Sequence, residues 1–270
     1  MRQAHPWPGS YDIFGRSGGE PDLLIDQVMR FAGLAAGMRV LDLGCGAGDL
    51  SFPLARLVGP TGAVIGVDRS REAVAPAVQR AASRGLTNVR FLARDVASLC
   101  LAEPVDALIG RLVLMHYSDP AVVLRRLASL VRPGGPIAFV ELDIDGARSA
   151  PACPLFAHAV ERLAEFLTRA GVDARIGLRL GRIFQEAGLP PPRQALRARV
   201  ERGADSPLYD QIARLTGALL PLMTRTGVAG PDEVAVETLA ARLREEAVAC
   251  DATVVSPSFV GAWTRTVGPR

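Results

Sequence analysis

Residues 40–50 read VLDLGCGAGDL, an apolar run that carries one acid, then glycines at alternate positions, then a second acid. Glycines set this way let a backbone come very close to a ligand, because no Cβ stands between them. Two further acids keep step with the loop: Asp68 closes the run AVIGVD, and Asp95 closes NVRFLARD. An acid at the first point can accept hydrogen bonds from both hydroxyls of a ribose. One at the second can accept from an adenine amino group. The chemistry on offer is recognition of an adenosine. A diphosphate fits poorly, since Gly44, Gly46 and Gly48 are spaced G-x-G-x-G and not G-x-G-x-x-G. Asp42 and Asp49 flank the loop, and no Arg lies between Arg39 and Arg56. A helix dipole worth about 0.3–1 kcal/mol would struggle to offset a diphosphate beside Asp49. A nucleoside with a positive charge and no phosphate suits the loop better.

These residues need strands and turns to hold them. Strand-like apolar runs at 39–43, 63–68, 88–95, 105–112 and 136–143 alternate with helical patterns that end near Leu57 and cover 71–84 and 119–131. This alternation is the signature of a parallel sheet with helices on both faces. Pro53 is tolerable only in the first turn of its helix, and Gly85 is a C-cap candidate. Beyond 145 the alternation breaks. An amphipathic helix within 146–176 and a mostly helical stretch over 206–250 read as insertions. Residues 177–189 resume as a sheet-covering helix, 192–200 as a sixth strand and 258–266 as the last. The expected organisation is an N-terminal flap or helix (1–38), a core (39–145), a cap insertion (146–176), more core (177–205), a helical cap (206–250) and a final core strand (251–270).

The chain has 270 residues, of which 49% are hydrophobic, enough for one large α/β domain with a cap. All 31 basic residues are Arg, the net charge is +3, and arginines alternate with acids. That pattern gives no basic stripe for nucleic acid. No apolar stretch approaches a membrane span, and the N-terminus has no apolar h-region of a secretory signal. Cys45, Cys100, Cys153 and Cys250 lie far apart in the chain, which argues against a zinc site or a disulfide framework and fits a reducing cytoplasm.

VLDLGCGAGDLSFPLA, VIGVDRS, VRFLARDVASL, VDALIGRLVLMHYSDP and LRRLASLVRPGGPIAFVELD together resemble the core motifs of class I S-adenosylmethionine-dependent methyltransferases. The resemblance covers about 39–143. It implies a Rossmann-like seven-stranded, mostly parallel sheet whose last strand is antiparallel. It also implies that Asp42 and the loop of Gly44, Cys45, Gly46 and Gly48 hold the methionine part of S-adenosylmethionine. Asp68, with Arg69 beside it, would hold the ribose, and Asp95 with Val96 the adenine. Arg111 would border the methionine moiety through its backbone. The second half is similar, more weakly, to bacterial small-molecule methyltransferases with helical caps.

Methyl transfer from a sulfonium is an in-line displacement in which alignment and exclusion of water do most of the work. The acceptor is expected to be a small organic molecule, a setting that includes secondary metabolism. His116 is the candidate base for a hydroxyl or ammonium acceptor, and Tyr117 would then point elsewhere. Glu141 and His158 are candidate acceptor contacts. Tyr11 and Phe14 could close a flap over the cofactor. No metal is expected, because Arg111 stands where a catechol-type magnesium site would need an acid. The rival readings are a non-methylating reaction such as cyclisation on the same cofactor, and a dinucleotide-dependent oxidoreductase. A monomer or homodimer is expected.

Overall fold

The structure is a computed structural model that describes residues 20–268. Tyr11 and Phe14 lie outside the described residues. In chain order the elements are α1 (Glu20–Ala32), β1 (Arg39–Leu43), α2 (Ser51–Val58), β2 (Ala63–Asp68), α3 (Arg71–Ser83), β3 (Val89–Ala93), β4 (Ala107–Arg111), α4 (Pro120–Ala128) and β5 (Pro136–Asp143). There follow β6 (Arg148–Ala150), α5 (Pro154–Arg169), α6 (Leu180–Glu186), β7 (Arg193–Arg197), β8 (Val200–Arg202), α7 (Leu208–Arg225), α8 (Pro231–Val234), α9 (Val236–Ala249), β9 (Thr253–Val255) and β10 (Ser258–Arg265).

Seven strands form one sheet in the order β3-β2-β1-β4-β5-β10-β7, with β10 antiparallel to both neighbours and the other pairings parallel. Strands covered on both faces read as continuous apolar runs. Here β5, PIAFVELD, is buried at every residue. The order reverses between β1 and β4, and at such a switch point the loops leaving the strands part and open a crevice. Pro53 sits in the first turn of α2, and Gly85 follows α3 with φ 62°. The left-handed backbone there is the one that favours glycine.

The second half holds something the hydrophobic pattern does not reveal. β6, β9 and β8 make a separate antiparallel sheet, with β9 in the middle. Each strand has only three residues, too few to show a period. The stretches expected as two insertions are therefore tied together, and 253–255, expected in the final core segment, belongs to this small sheet. Val200, expected in the sixth strand, starts β8. Its connections leave β5, leave β7 and enter β10 at the edge where Asp143 pairs with Ser258. This is the carboxyl edge of the parallel strands. α5, α7 and α9 pack on one another and complete the cap. No described helix is long and apolar enough to cross a membrane.

Candidate active site

The loop after β1 turns on glycines with positive φ: Gly44 at 69°, Gly46 at 48° and Gly48 at 87°. A Cβ on Gly44 would lie 2.4 Å from Val113 Cγ2, so this glycine lets the loops after β1 and β4 pack together. A Cβ on Gly46 would meet nothing within 4 Å. Gly46 faces open space where a ligand could come against the backbone.

Asp68, at the end of β2, bridges this loop to its neighbour. Its Oδ2 accepts from Gly46 N at 3.1 Å and its Oδ1 from Ser70 N at 2.9 Å. Each carboxylate oxygen keeps further lone-pair capacity, and the residue is half-buried. Asp95, after β3, caps the turn over Val96–Ser98 by accepting from Ala97 N at 2.7 Å, and it is exposed. Arg126 of α4 holds that turn from behind by donating to the carbonyls of Val96 and Leu99. Asp42 is 1% exposed and accepts from Ser51 Oγ at the start of α2. Burial pushes its carboxyl up to about 7 against the pull of Ser51. Its carboxylate thus fixes the junction of β1 and α2 beneath the loop. Cys45 is buried within the loop, and burial beside Asp42 and Asp68 raises its thiol.

One electrostatic expectation needs correcting. The sequence places no Arg near the loop, but Arg80 reaches it from α3, donating to Ala47 O at 2.7 Å and to Asp49 Oδ1 at 2.6 Å. Arg80 also stacks over Phe52. Asp49 is a neutralised acid that anchors the loop, so it is no isolated repulsive charge. Helical spacing gives no sign of this contact, which depends on Arg80 reaching across from α3 over Phe52 of α2.

Beyond β4 the chain passes through Leu112, whose φ of 53° is rare for a branched side chain and costs about 1–3 kcal/mol. Glu141 of β5 holds this turn. It is 0% exposed, and its Oε1 accepts from Val113 N at 3.0 Å and Leu114 N at 2.8 Å. Its Oε2 takes a longer bond from Met115 N at 3.4 Å. Burial pushes the carboxyl up to about 7, opposed by these three donors. Glu141 is expected from the sequence to touch the acceptor; it is instead enclosed and committed to backbone, because β5 is the most covered strand of the sheet. It orders the loop that rests on Gly44.

The loop held by Glu141 carries His116 and Tyr117. Burial, with Arg69 nearby, lowers the His116 imidazole to about 4 against the opposing pull of the Leu112 backbone. A base with pKa near neutral pH is not what this geometry offers. Tyr117, expected to point away, lies in the same neighbourhood: burial pushes its phenol up to about 12, Arg69 opposes this, and the Asp95 and Asp68 charges add to it. Arg69 is exposed and serves both groups electrostatically. Arg111, at the end of β4, pairs through its guanidinium with Asp22 of α1 and pulls Asp42 toward the charged form. The side chain thus ties α1 to the strand ends. His158 is exposed on α5, whose buried face carries Phe156, Ala159 and Val160, so it sits on the solvent side of the cap helix and not in its packed face.

A family model described as a methyltransferase domain matches residues 34–188, more than half of the chain. The chain belongs to the methyltransferase family. The matched part of this methyltransferase contains the ends of β1 to β5, and the expectation of a dinucleotide-dependent oxidoreductase falls with it. An arsenite methyltransferase of Halobacterium salinarum is 34% identical over 157 residues, which are 53% of this chain and 39% of that protein. The 23S rRNA (uracil(1939)-C(5))-methyltransferase RlmD of Acinetobacter baylyi is 51% identical over 95 residues, 31% of this chain and 20% of that protein. The chain thus spans less than half the length of either curated relative. Among solved structures the cyclase SpnF superposes with a TM-score of 0.54 at 23% identity, covering 92% of this chain and 81% of that one. That likeness is one of fold.

Proposed function

We propose that this methyltransferase transfers a methyl group from S-adenosylmethionine to a small organic acceptor. The observation that carries the reading is the junction of the glycine loop with Asp68: an open Gly46 backbone donates to a half-buried carboxylate at the end of β2, beside the switch point of the sheet. That arrangement fits a ligand with a ribose diol and a close-lying chain. Asp68 accepts from the ribose hydroxyls, the Asp95–Val96 turn borders the adenine, and Gly44 to Gly48 with the Arg111 backbone border the methionine part. When bound, S-adenosylmethionine supplies an electrophilic methyl group on a sulfonium.

The chain's own residues then have three tasks. The loop after β4, clamped by Glu141, orients the acceptor side against the cofactor side through the contact of Val113 with Gly44. The cap rises from the ends of β5 and β7, next to this loop; Asp173 N donates to Met115 O at 2.9 Å, so the segment after α5 touches it. The cap excludes water. His116 stays neutral at working pH and offers a hydrogen bond more readily than it removes a proton. The relatives' acceptors, arsenite and a ribosomal uracil, differ while the core is shared, so acceptor choice lies in the cap. The net charge is only +3, and several arginines pair with acids, as in Arg169–Glu165, Arg182–Glu186 and Arg202–Asp251. Pairing of this kind favours a small acceptor over nucleic acid.

Incubation with methyl-labelled S-adenosylmethionine and fractionated small molecules tests the reaction: label should pass to a small product. Binding of the nucleoside with no transfer to any fraction would favour cyclisation or a purely structural use of the cofactor. A second expectation concerns pH. With His116 at about 4, the kcat/KM profile should show no histidine inflection between about pH 6 and 8. An inflection near the ordinary histidine value that disappears in His116→Gln would restore His116 as the base.

A further inference from the structure

The cap holds a pair of thiols that sequence spacing keeps far apart. Cys153 is the residue before α5 and Cys250 the residue after α9. Two tethers bracket them. On one side the Glu246 carboxylate accepts from Leu155 N at 2.8 Å and Phe156 N at 3.0 Å, pinning the last turn of α9 to the first turn of α5. Glu246 and Cys250 are four residues apart and so share a helix face. On the other side Cys153 N donates to Ser149 Oγ at 2.8 Å, and Ser149 pairs with Val254 across the small sheet. Held between these, the two thiols lie at one junction of the cap, where burial and, with it, the nearby Cys250 raise the Cys153 thiol. Cys153 is 0% exposed, while Cys250 is exposed. The buried thiol is therefore approached through the open one.

We infer that Cys153 and Cys250 form a redox-operated clip, a dithiol that closes to a disulfide between the start of α5 and the end of α9 by exchange with a low-molecular-weight disulfide. In the first step the Cys250 thiolate attacks one sulfur of the small disulfide, forms a mixed disulfide and releases one thiolate. In the second the Cys153 thiolate attacks the Cys250 sulfur and releases the other. Two S–H bonds give way to one S–S bond, and the two electrons and two protons leave on the small disulfide, which departs as two thiols. The bridge closes a loop of about 100 residues that contains α5, α7 and α9, so it restrains the unfolded chain strongly. In the reduced cap these two ends are held by the Glu246 contacts, the Ser149 hydrogen bond, the small sheet and packing.

The test uses the full chain with Cys100→Ser, which removes an exposed thiol outside the cap. Dilute protein is incubated with oxidised glutathione, alkylated and cut with trypsin. Cleavage after Arg148, Arg162, Arg244 and Arg265 gives 149–162 with Cys153 and 245–265 with Cys250. The expected result is a link between these two peptides within one chain, no retained glutathione, and a Tm raised by roughly 5–10 °C that dithiothreitol reverses. Cys250→Ser should abolish both the link and the Tm shift, and Cys153→Ser should trap glutathione on Cys250. Retention of glutathione on Cys250 while Cys153 is intact would overturn the inference. So would free alkylation of both thiols after the oxidant, or a link found only between two chains.

Discussion

Asp68→Ala is expected to weaken binding of S-adenosylmethionine and of its demethylated product by about 1.5–3 kcal/mol, roughly 10–150-fold. The size follows from hydrogen bonds made to a charged acceptor, which are worth more than neutral ones. Two contributions add. The ribose hydroxyls lose their acceptor, and Gly46 N and Ser70 N lose theirs, so the loop that faces the ligand is less ordered before binding. Asp68→Asn keeps one carbonyl oxygen and should fall between the two. Calorimetry on the three proteins measures this directly. Affinities equal to wild type would mean that Asp68 serves only the turn at Ser70, and the reading of the cofactor site would lose its central residue.

Glu141→Ala carries the largest expected cost in stability. It leaves Val113 N, Leu114 N and Met115 N without the carboxylate that accepts from them inside the protein. Orphaned buried donors cost about 1–3 kcal/mol each, and relaxation of the loop recovers part, so about 3–5 kcal/mol is expected. The same change lets Leu112 leave its strained conformation and shifts Val113 from Gly44, so turnover should fall with stability. Glu141→Gln separates packing from charge, since its amide oxygen can still accept from Val113 and Leu114. The native carboxyl stands at about 7, above its ordinary 4.5. Native protein therefore holds a proton that unfolded chain releases between those values, and wild type loses stability as pH rises through that window, by up to about 3 kcal/mol from this group. The penalty is absent below pH 4.5 and complete above about 7. Asp42, raised from 3.8 to about 7, adds a slope of the same sign in both proteins. Urea unfolding at pH 5 and pH 7.5 should show Glu141→Gln gaining on wild type at the higher pH. Parallel pH dependence of the two would mean that Glu141 is ionised throughout.

The order of strands, the glycine loop and the acids at the ends of β2 and β3 were legible in the amino-acid sequence, because each is a local pattern. An apolar run sets a strand, alternate glycines permit a left-handed turn, and an acid at a strand end keeps its place whatever the packing. The direction of a side chain is different in kind. Glu141 and Asp143 share an alternation that puts both on one face, yet only the covering of β5 by its neighbours turns Glu141 into a buried anchor for 113–115. Arg80 finds Asp49, and the phenol of Tyr117 feels the charges of Asp68 and Asp95, across 31, 49 and 22 residues of chain respectively. Interactions of that span have no period to read. The small sheet of β6, β8 and β9 escaped for a related reason, since three-residue strands gain their hydrogen bonds from partners about 50 and 105 residues away. The sequence by itself determined the class of ligand and the edge of the sheet where it binds. Only the tertiary structure decided which charges stay open to that ligand and which are used up in holding the loops, because burial and partnership are set by what packs on each residue.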